Sequence, residues 1–213
     1  MTKLIIIEGI DGSGKTTLAK ELSKRITNSI FLSKKTIDAN TEFQKNFMDM
    51  IKFPLWNNKS NNIDEIDEES WMYLHMLWYH MVQEFVLKRY LKSSLDYIIM
   101  DGWYYKFLAR HMVNDKMNIE LVLSLFSRLF KGDTVIMLDV SPNICYQRKG
   151  HPSPSECGIH KHMQKEYDDY VSFCSYQHEV SLALKSLDKY YNFKYIDASQ
   201  TIDKTIENIL KYV

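Results

Sequence analysis

A chain of 213 residues with 45% apolar content can bury a sizeable core and reads as one domain, residues 1–213. Lysine plus arginine equals aspartate plus glutamate at 27 each, so there is no bulk basic charge to gather nucleic acid or an anionic membrane, and neither partner is expected. Cys145, Cys157 and Cys174 are odd in number and lack C-x-x-C spacing, which argues against a disulfide framework or a zinc site. The N-terminus lacks the pattern of a secretory signal and no apolar run approaches bilayer length, so a soluble, cytoplasmic protein is expected.

In chain order, the β-branched run Leu4-Ile5-Ile6-Ile7 reads as a buried strand. It leads into Gly9-Ile10-Asp11-Gly12-Ser13-Gly14-Lys15-Thr16-Thr17, which fits G-x-x-x-x-G-K-[ST], and Leu18, Leu22 and Ile26 then mark one face of a helix. Glycines let backbone N–H groups turn inward around an anion, and the helix N-terminus adds partial positive charge. Gly9, Asp11, Gly12, Ser13, Gly14, Lys15, Thr16 and Thr17 are therefore the candidate donor-nucleotide residues, with Lys15 on the phosphates and Thr16 on Mg2+.

Ser29-Ile30-Phe31-Leu32 is the second strand candidate, followed by polar residues 33–40 where an acceptor has room beyond the strand end. Asp38 and Glu42 are the carboxylates there, each either a substrate contact or a cap for a helix over Phe43–Phe53 that Pro54 ends. Residues 56–62 read as a loop, and a helix is expected from about Glu68 to Leu91, with Trp71, Leu74, Trp78, Val82 and Phe85 on one stripe. Tyr73, Met76, Leu77 and Met81 add apolar groups off that stripe, a pattern that suits burial on two sides, one of them by a second subunit. His75 and His80 do not share a face at their spacing, which speaks against a metal site.

Tyr97-Ile98-Ile99-Met100 is the third strand, and it closes in Asp101, the position from which a carboxylate meets P-loop magnesium. Gly102-Trp103-Tyr104-Tyr105 follows. A helix over Ile119–Phe130 precedes the fourth strand, Thr134–Asp139; Ser141 then caps a helix with Pro142 at its first position, reaching Arg148 and Lys149. Residues 149–164 form a candidate lid, with Arg148, Lys149, Lys161 and Lys165 as cations for a transferring phosphoryl group; for Lys161 and Lys165 solvated faces paired with acids are the better reading. A helix from about His160 to Lys189 carries the stripe Tyr167, Tyr170, Phe173 and Tyr176, read as core. Phe193–Asp197 makes the fifth strand, and Thr201 caps a last helix with Ile202, Ile206, Ile209, Leu210 and Val213 inward.

Strands alternating with helices specify an α/β fold, a five-stranded, mostly parallel sheet flanked by helices. The P-loop, the strand-end Asp101 and a basic lid together specify phosphoryl transfer from a nucleoside triphosphate, with Lys15, Asp101 and Arg148 as catalytic candidates and Thr16 and Asp101 as metal ligands.

The chain resembles the thymidylate kinases, within the P-loop nucleoside monophosphate kinases. The match rests on Ile7 through Thr17, on Ile99-Met100-Asp101, on Leu138-Asp139-Val140-Ser141-Pro142 leading to Arg148, and on Tyr195-Ile196-Asp197-Ala198. The resemblance implies ATP and Mg2+, Asp11 near the acceptor sugar, Asp101 at the magnesium and the acceptor phosphate, Arg148 closing from the lid, the loop after Asp197 near the adenine, and a homodimer.

Departures from the family pattern fall at the acceptor end. Gly102 stands where the family has arginine after the aspartate, Tyr79 aligns with an arginine that reads the thymine edge, the second-strand motif is Lys34-Lys35-Thr36-Ile37-Asp38, and the lid lacks an Asp-Arg pair. Asp11, Asp38, Tyr79 and Trp103 are the candidate acceptor contacts, and Lys34 or Lys35 is the candidate substitute for the lost arginine. Unmatched hydrogen-bonding groups discriminate strongly among substrates, so three outcomes stay open: a nucleoside monophosphate kinase with thymidylate the first candidate, a deoxynucleoside kinase with Asp38 or Glu42 as base, and a nucleotide-binding module.

Overall fold

The computed structural model describes residues 1–57, 66–114, 118–159 and 168–213. Its strands are β1 (Lys3–Glu8), β2 (Ser29–Leu32), β3 (Tyr97–Met100), β4 (Thr134–Asp139) and β5 (Lys194–Asp197). They form one five-stranded sheet in the order β2-β3-β1-β4-β5. Every pairing is parallel; Ile5 lies opposite Ile99 on one side and Thr134 on the other. Parallel strands need crossovers that cover both faces, which is why β1 is almost continuously apolar and buried from Leu4 to Glu8.

The helices are α1 (Lys15–Arg25), α2 (Glu42–Lys52), α3 (Glu68–Met81), α4 (Lys88–Leu91), α5 (Tyr105–Asn114), α6 (Ile119–Phe126), α7 (Pro142–Lys149), α8 (Asp169–Ser186), α9 (Asp188–Tyr191) and α10 (Ile202–Ile209). Chain order moves from β1 out to β2, back to β3 and then across to β4, so the carboxyl ends of β1, β3 and β4 border the reversal point where ligands bind in such sheets. Among the described residues no helix is long and apolar enough to cross a membrane.

Several boundaries depart from expectation for physical reasons. α2 is capped by a Thr41–Gln44 capping box and does not stop at Pro54; it widens into a π-helical turn over Phe53–Asn57, which accommodates a residue lacking an N–H. The helix expected to run unbroken from Glu68 to Leu91 widens likewise over Val82–Leu87. There Gln83 is turned inward, and its Oε1 accepts from the backbone N–H of Phe130 at 2.6 Å, so α6 ends at Phe126 rather than Phe130. α8 begins at Asp169 with Asp168 as its cap; Tyr167, Lys161 and Lys165 lie outside the described residues. In the last helix Ile206 and Ile209 are buried, whereas Ile202 and Leu210, expected to face inward, are exposed.

Candidate active site

The turn Gly9–Gly14 joins the central strand β1 to α1. α1 starts with Gly14 as its cap, no side chain bonds its first N–H groups, and its first turn carries no acid. Those N–H groups and the helix dipole are therefore available to an anion. Lys15 Nζ donates to the carbonyls of Gly9 at 2.9 Å and Ile10 at 2.6 Å. Burial, then the nearby Lys106 ammonium, pushes the Lys15 pKa down to about 8.

Thr16 Oγ1 donates to Asp101 Oδ2 at 2.7 Å, and the other oxygen of Asp101 accepts from the backbone N–H of Lys34 at 3.3 Å. One carboxylate thus draws together the first turn of α1, the end of β3 and the segment after β2. A hydroxyl beside a carboxylate, next to a phosphate-binding helix end, is a donor set of hard oxygens that fits Mg2+, which takes one or two protein ligands and completes its shell with phosphate and water. No cluster of three or more His, Cys, Asp or Glu side chains able to hold a metal occurs among the described residues.

Glu8 closes β1 in full burial, 0% exposed, and accepts from the backbone N–H groups of Gly9 and Trp103, each at 3.1 Å. Between them lies Gly102 at φ +113°, a backbone conformation side-chain-bearing residues rarely adopt. A Cβ at Gly102 would stand 3.5 Å from Glu8 Oε1 and 3.6 Å from Lys34 Nζ. The space that the family's arginine would enter is therefore bordered by the ammonium of Lys34. Lys34 is held by its backbone, since its carbonyl accepts from Trp78 Nε1 at 2.9 Å. Lys35 is placed differently, its Nζ 5.4 Å from the centre of the Trp56 ring.

Asp11 carries the densest network. Its Oδ1 pairs with Lys106, its Oδ2 lies 3.7 Å from Arg110, and Gln177 Nε2 donates to Oδ2 at 3.3 Å while Gln177 Oε1 accepts the Asp11 N–H at 3.0 Å. Lys106, Arg110 and Lys15 hold the Asp11 carboxyl well below the usual range, although burial pushes the other way. Arg110 also donates to the Ser155 carbonyl at 2.6 Å, and Gln177 to that of Glu156 at 2.7 Å, while Lys149 pairs with Glu156 at 2.9 Å. The described part of the 149–164 segment is thereby tied to the P-loop.

Other residues singled out in the sequence stand apart from this group. Arg148 donates to the Ala198 carbonyl at 2.8 Å, which places it at the loop after β5. Asp38 is engaged by Arg89 and Tyr90 of α4, and Thr41, not Asp38, caps α2. Tyr79 and Trp103 lie in the core against each other with ring centres 5.1 Å apart, and Trp103 Nε1 donates to the Phe130 carbonyl at 3.0 Å. What Trp103 gives the site is its backbone N–H. His75 stacks on Phe107 at 4.1 Å, and its Nδ1 lies 2.9 Å from the Trp71 carbonyl oxygen.

Glu8, Lys106, Arg110 and Gln177 carried no assigned role in the sequence. The available signal was the Lys106–Arg110 pair, two cations four residues apart on the helix that follows Asp101 and so on one face of it.

The thymidylate kinase family model matches residues 7–209. A probable thymidylate kinase of Saccharolobus solfataricus is 27% identical over 100% of this chain and 97% of its own length. The thymidylate kinase of Prochlorococcus marinus strain AS9601 is 28% identical over 98% and 93%. Among solved structures, thymidylate kinase from Candida albicans superposes with a TM-score of 0.62 at 18% identity, covering 99% of this chain and 90% of that one. Deoxyadenosine kinase from M. mycoides, solved with dCMP and dCDP, gives 0.57 at 18%, covering 98% and 97%. At such identity the two structures speak for the fold. With the P-loop, the Thr16–Asp101 contact and a family match over nearly its whole length, the chain belongs to the thymidylate kinase family of ATP-dependent phosphotransferases.

Proposed function

We propose that this chain moves the γ-phosphate of ATP to thymidylate, with Lys34 holding the acceptor's phosphate in place of the arginine that Gly102 replaces. The observation that carries this reading is the position of the Lys34 ammonium, 3.6 Å from where a side chain at Gly102 would begin. Around it Lys15, Lys34, Lys106 and Arg110 outnumber the acids Glu8, Asp11 and Asp101, an imbalance that suits bound phosphates.

The P-loop N–H groups and Lys15 bind the donor phosphates, Lys15 exchanging its carbonyl contacts for phosphate oxygens. Thr16 and Asp101 would hold Mg2+, which neutralises charge on those oxygens when bound. An oxygen of the acceptor phosphate attacks the γ-phosphorus, the bond to the bridging oxygen breaks, and its electron pair leaves with ADP. The attacking oxygen is already an anion, so no base is required, and Asp38 is taken by Arg89 and Tyr90. The segment 149–164, of which 160–164 lie outside the described residues, serves as the lid. A homodimer through α3 is supported by Tyr73 and Leu77, which are 47% and 37% exposed.

The test is ADP release with Mg2+ and ATP against thymidylate, thymidine and the other nucleoside and monophosphate pairs. Saturable turnover with thymidylate supports the reading. Turnover with thymidine alone would overturn it and make Gly102 the mark of an acceptor without a phosphate.

A further inference from the structure

Lys106 is the least expected residue of the site. It sits on α5, yet its ammonium reaches the P-loop at Asp11, the residue after the carbonyl of Ile10 that holds Lys15. It is almost buried, with the pair's side chains 11% and 14% exposed. Burying a lysine is costly without a purpose or a partner. A partner is present, and Asp11 has others besides it: Arg110 lies 3.7 Å from Oδ2 and Gln177 donates to Oδ2, whereas among the described residues it is Lys106 that takes Oδ1. When Lys106 leaves, the Arg110 guanidinium therefore still stands beside the Asp11 carboxylate.

Its surroundings are arranged around anionic cargo. Lys15 stands on the donor side, and the Lys34 ammonium above Gly102 stands on the acceptor side. Lys106 is near enough to depress the Lys15 pKa, and Lys34 near enough to depress that of Lys106. Neighbouring ammonium groups repel one another, and a phosphoryl group bound among them removes that repulsion. Arg110 is fixed to Ser155 and Asp11, so it stays behind as Asp11's counter-ion.

We propose that Lys106 is a second phosphate-binding lysine: Asp11 holds it in this structure, and in turnover its ammonium turns onto the phosphoryl group passing from ATP to the acceptor. It stays protonated throughout; the electron pair leaves with ADP, and the lysine offsets charge on the equatorial oxygens. The proposal rests on the phosphotransfer reading above and extends it to a residue on α5.

The experiment compares Lys106→Met, Lys106→Arg and the double variant Asp11→Asn with Lys106→Met. Two readouts are used: steady-state kinetics, and the affinity for Mg·ADP with and without fluoroaluminate, which mimics the planar phosphoryl group. The expected result for Lys106→Met is a kcat lowered by roughly 100-fold or more, with the KM for ATP within about threefold of the parent. Fluoroaluminate should tighten Mg·ADP binding in the parent and about tenfold less in the variant, while Mg·ADP alone binds both alike. Lys106→Arg should recover part of the loss.

A Lys106→Met enzyme turning over within about threefold of the parent overturns the proposal. So does a fast double variant, which would show that the lysine only neutralises Asp11. If Lys106→Met does not fold, the double variant decides in its place, compared with Asp11→Asn alone: turnover slower than in that single variant, with normal Mg·ADP affinity, supports the proposal, and equal turnover overturns it. The fluoroaluminate readout needs no knowledge of the acceptor, so it decides Lys106 even if neither thymidylate nor thymidine is turned over. Equal tightening in parent and variant, or none in the parent, counts against Lys106.

Discussion

Gly102→Ala isolates the feature in which this chain departs most from its family. The residue sits at φ +113°, and its added methyl would meet Glu8 Oε1 at 3.5 Å and Lys34 Nζ at 3.6 Å, both ordinary van der Waals distances. The cost is therefore in the backbone rather than in a clash. Holding a side-chain-bearing residue in that region costs about 1–3 kcal/mol. The stiffer unfolded chain returns about 0.4–1 kcal/mol. A net loss of about 1–2 kcal/mol, the middle of the resulting span, lowers the melting temperature of a chain this size by about 2–8 °C. At the site, a methyl against the Lys34 ammonium that costs about 1 kcal/mol, the size of one net hydrogen bond, raises the KM for thymidylate about fivefold. Calorimetry and acceptor titrations at saturating ATP measure both. Gly150→Ala is the control, since Gly150 lies at φ +77° with nothing within 4 Å of its added Cβ: it should melt lower by a similar amount without touching Lys34. A Gly102→Ala protein melting at or above the parent would refute the argument, because the position would not then be held at positive φ.

Lys34→Ala should raise the KM for thymidylate about 10- to 100-fold, the worth of a charge-assisted contact, and leave the KM for ATP nearly unchanged; equal KM values for both substrates would remove Lys34 from the acceptor site. Lys15→Ala should cost roughly 100-fold or more in turnover. In the parent enzyme kcat/KM for ATP should fall as pH rises through about 8, because Lys15 loses its charge there; a profile flat to pH 9.5, about the upper end of a usual assay, would place its pKa nearer the ordinary lysine value. Burial, against the opposing hydrogen bond to Trp71, lowers the His75 pKa from 6.5 to about 3. Between those values the unfolded chain binds more protons, so His75 contributes stability that is present above about pH 6.5 and lost as pH falls toward about 3. His75→Phe should flatten that part of the melting-temperature profile, and an unchanged slope would assign it to other groups.

The sheet was legible because its parallel strands read as short, largely apolar runs: Ser29–Leu32, Tyr97–Met100 and Thr134–Asp139 have the bounds expected of them. The helix irregularities were not. Pro54 reads as a helix stop and the apolar period of Glu68–Leu91 runs on through Gln83, yet at both places the backbone widens by a residue, and a π-turn leaves no mark in apolar spacing. Thr16 and Asp101 could be paired from the order of elements, because the fold brings a P-loop helix and the end of the neighbouring strand together. The Asp11 network could not, since Lys106, Arg110 and Gln177 come from two helices far along the chain, and only packing shows which faces they turn inward. Tyr79 and Trp103 mark the opposite difficulty: an alignment position names a neighbourhood, but two large rings beside one another in the core satisfy each other.

The bond from Trp78 Nε1 to the Lys34 carbonyl gives the protein a built-in optical gauge. Trp78 is one of four tryptophans, and Trp56 beside it carries the Lys35 ammonium on its ring, so two indoles are wired to neighbouring lysines, of which Lys34 is the proposed acceptor contact. Any shift of that segment when an anion settles over Gly102 alters the polarity around both rings. If Lys34 holds the acceptor phosphate as proposed, emission colour and intensity should follow acceptor loading without an attached dye, in the wild-type chain and in every variant that keeps those two rings.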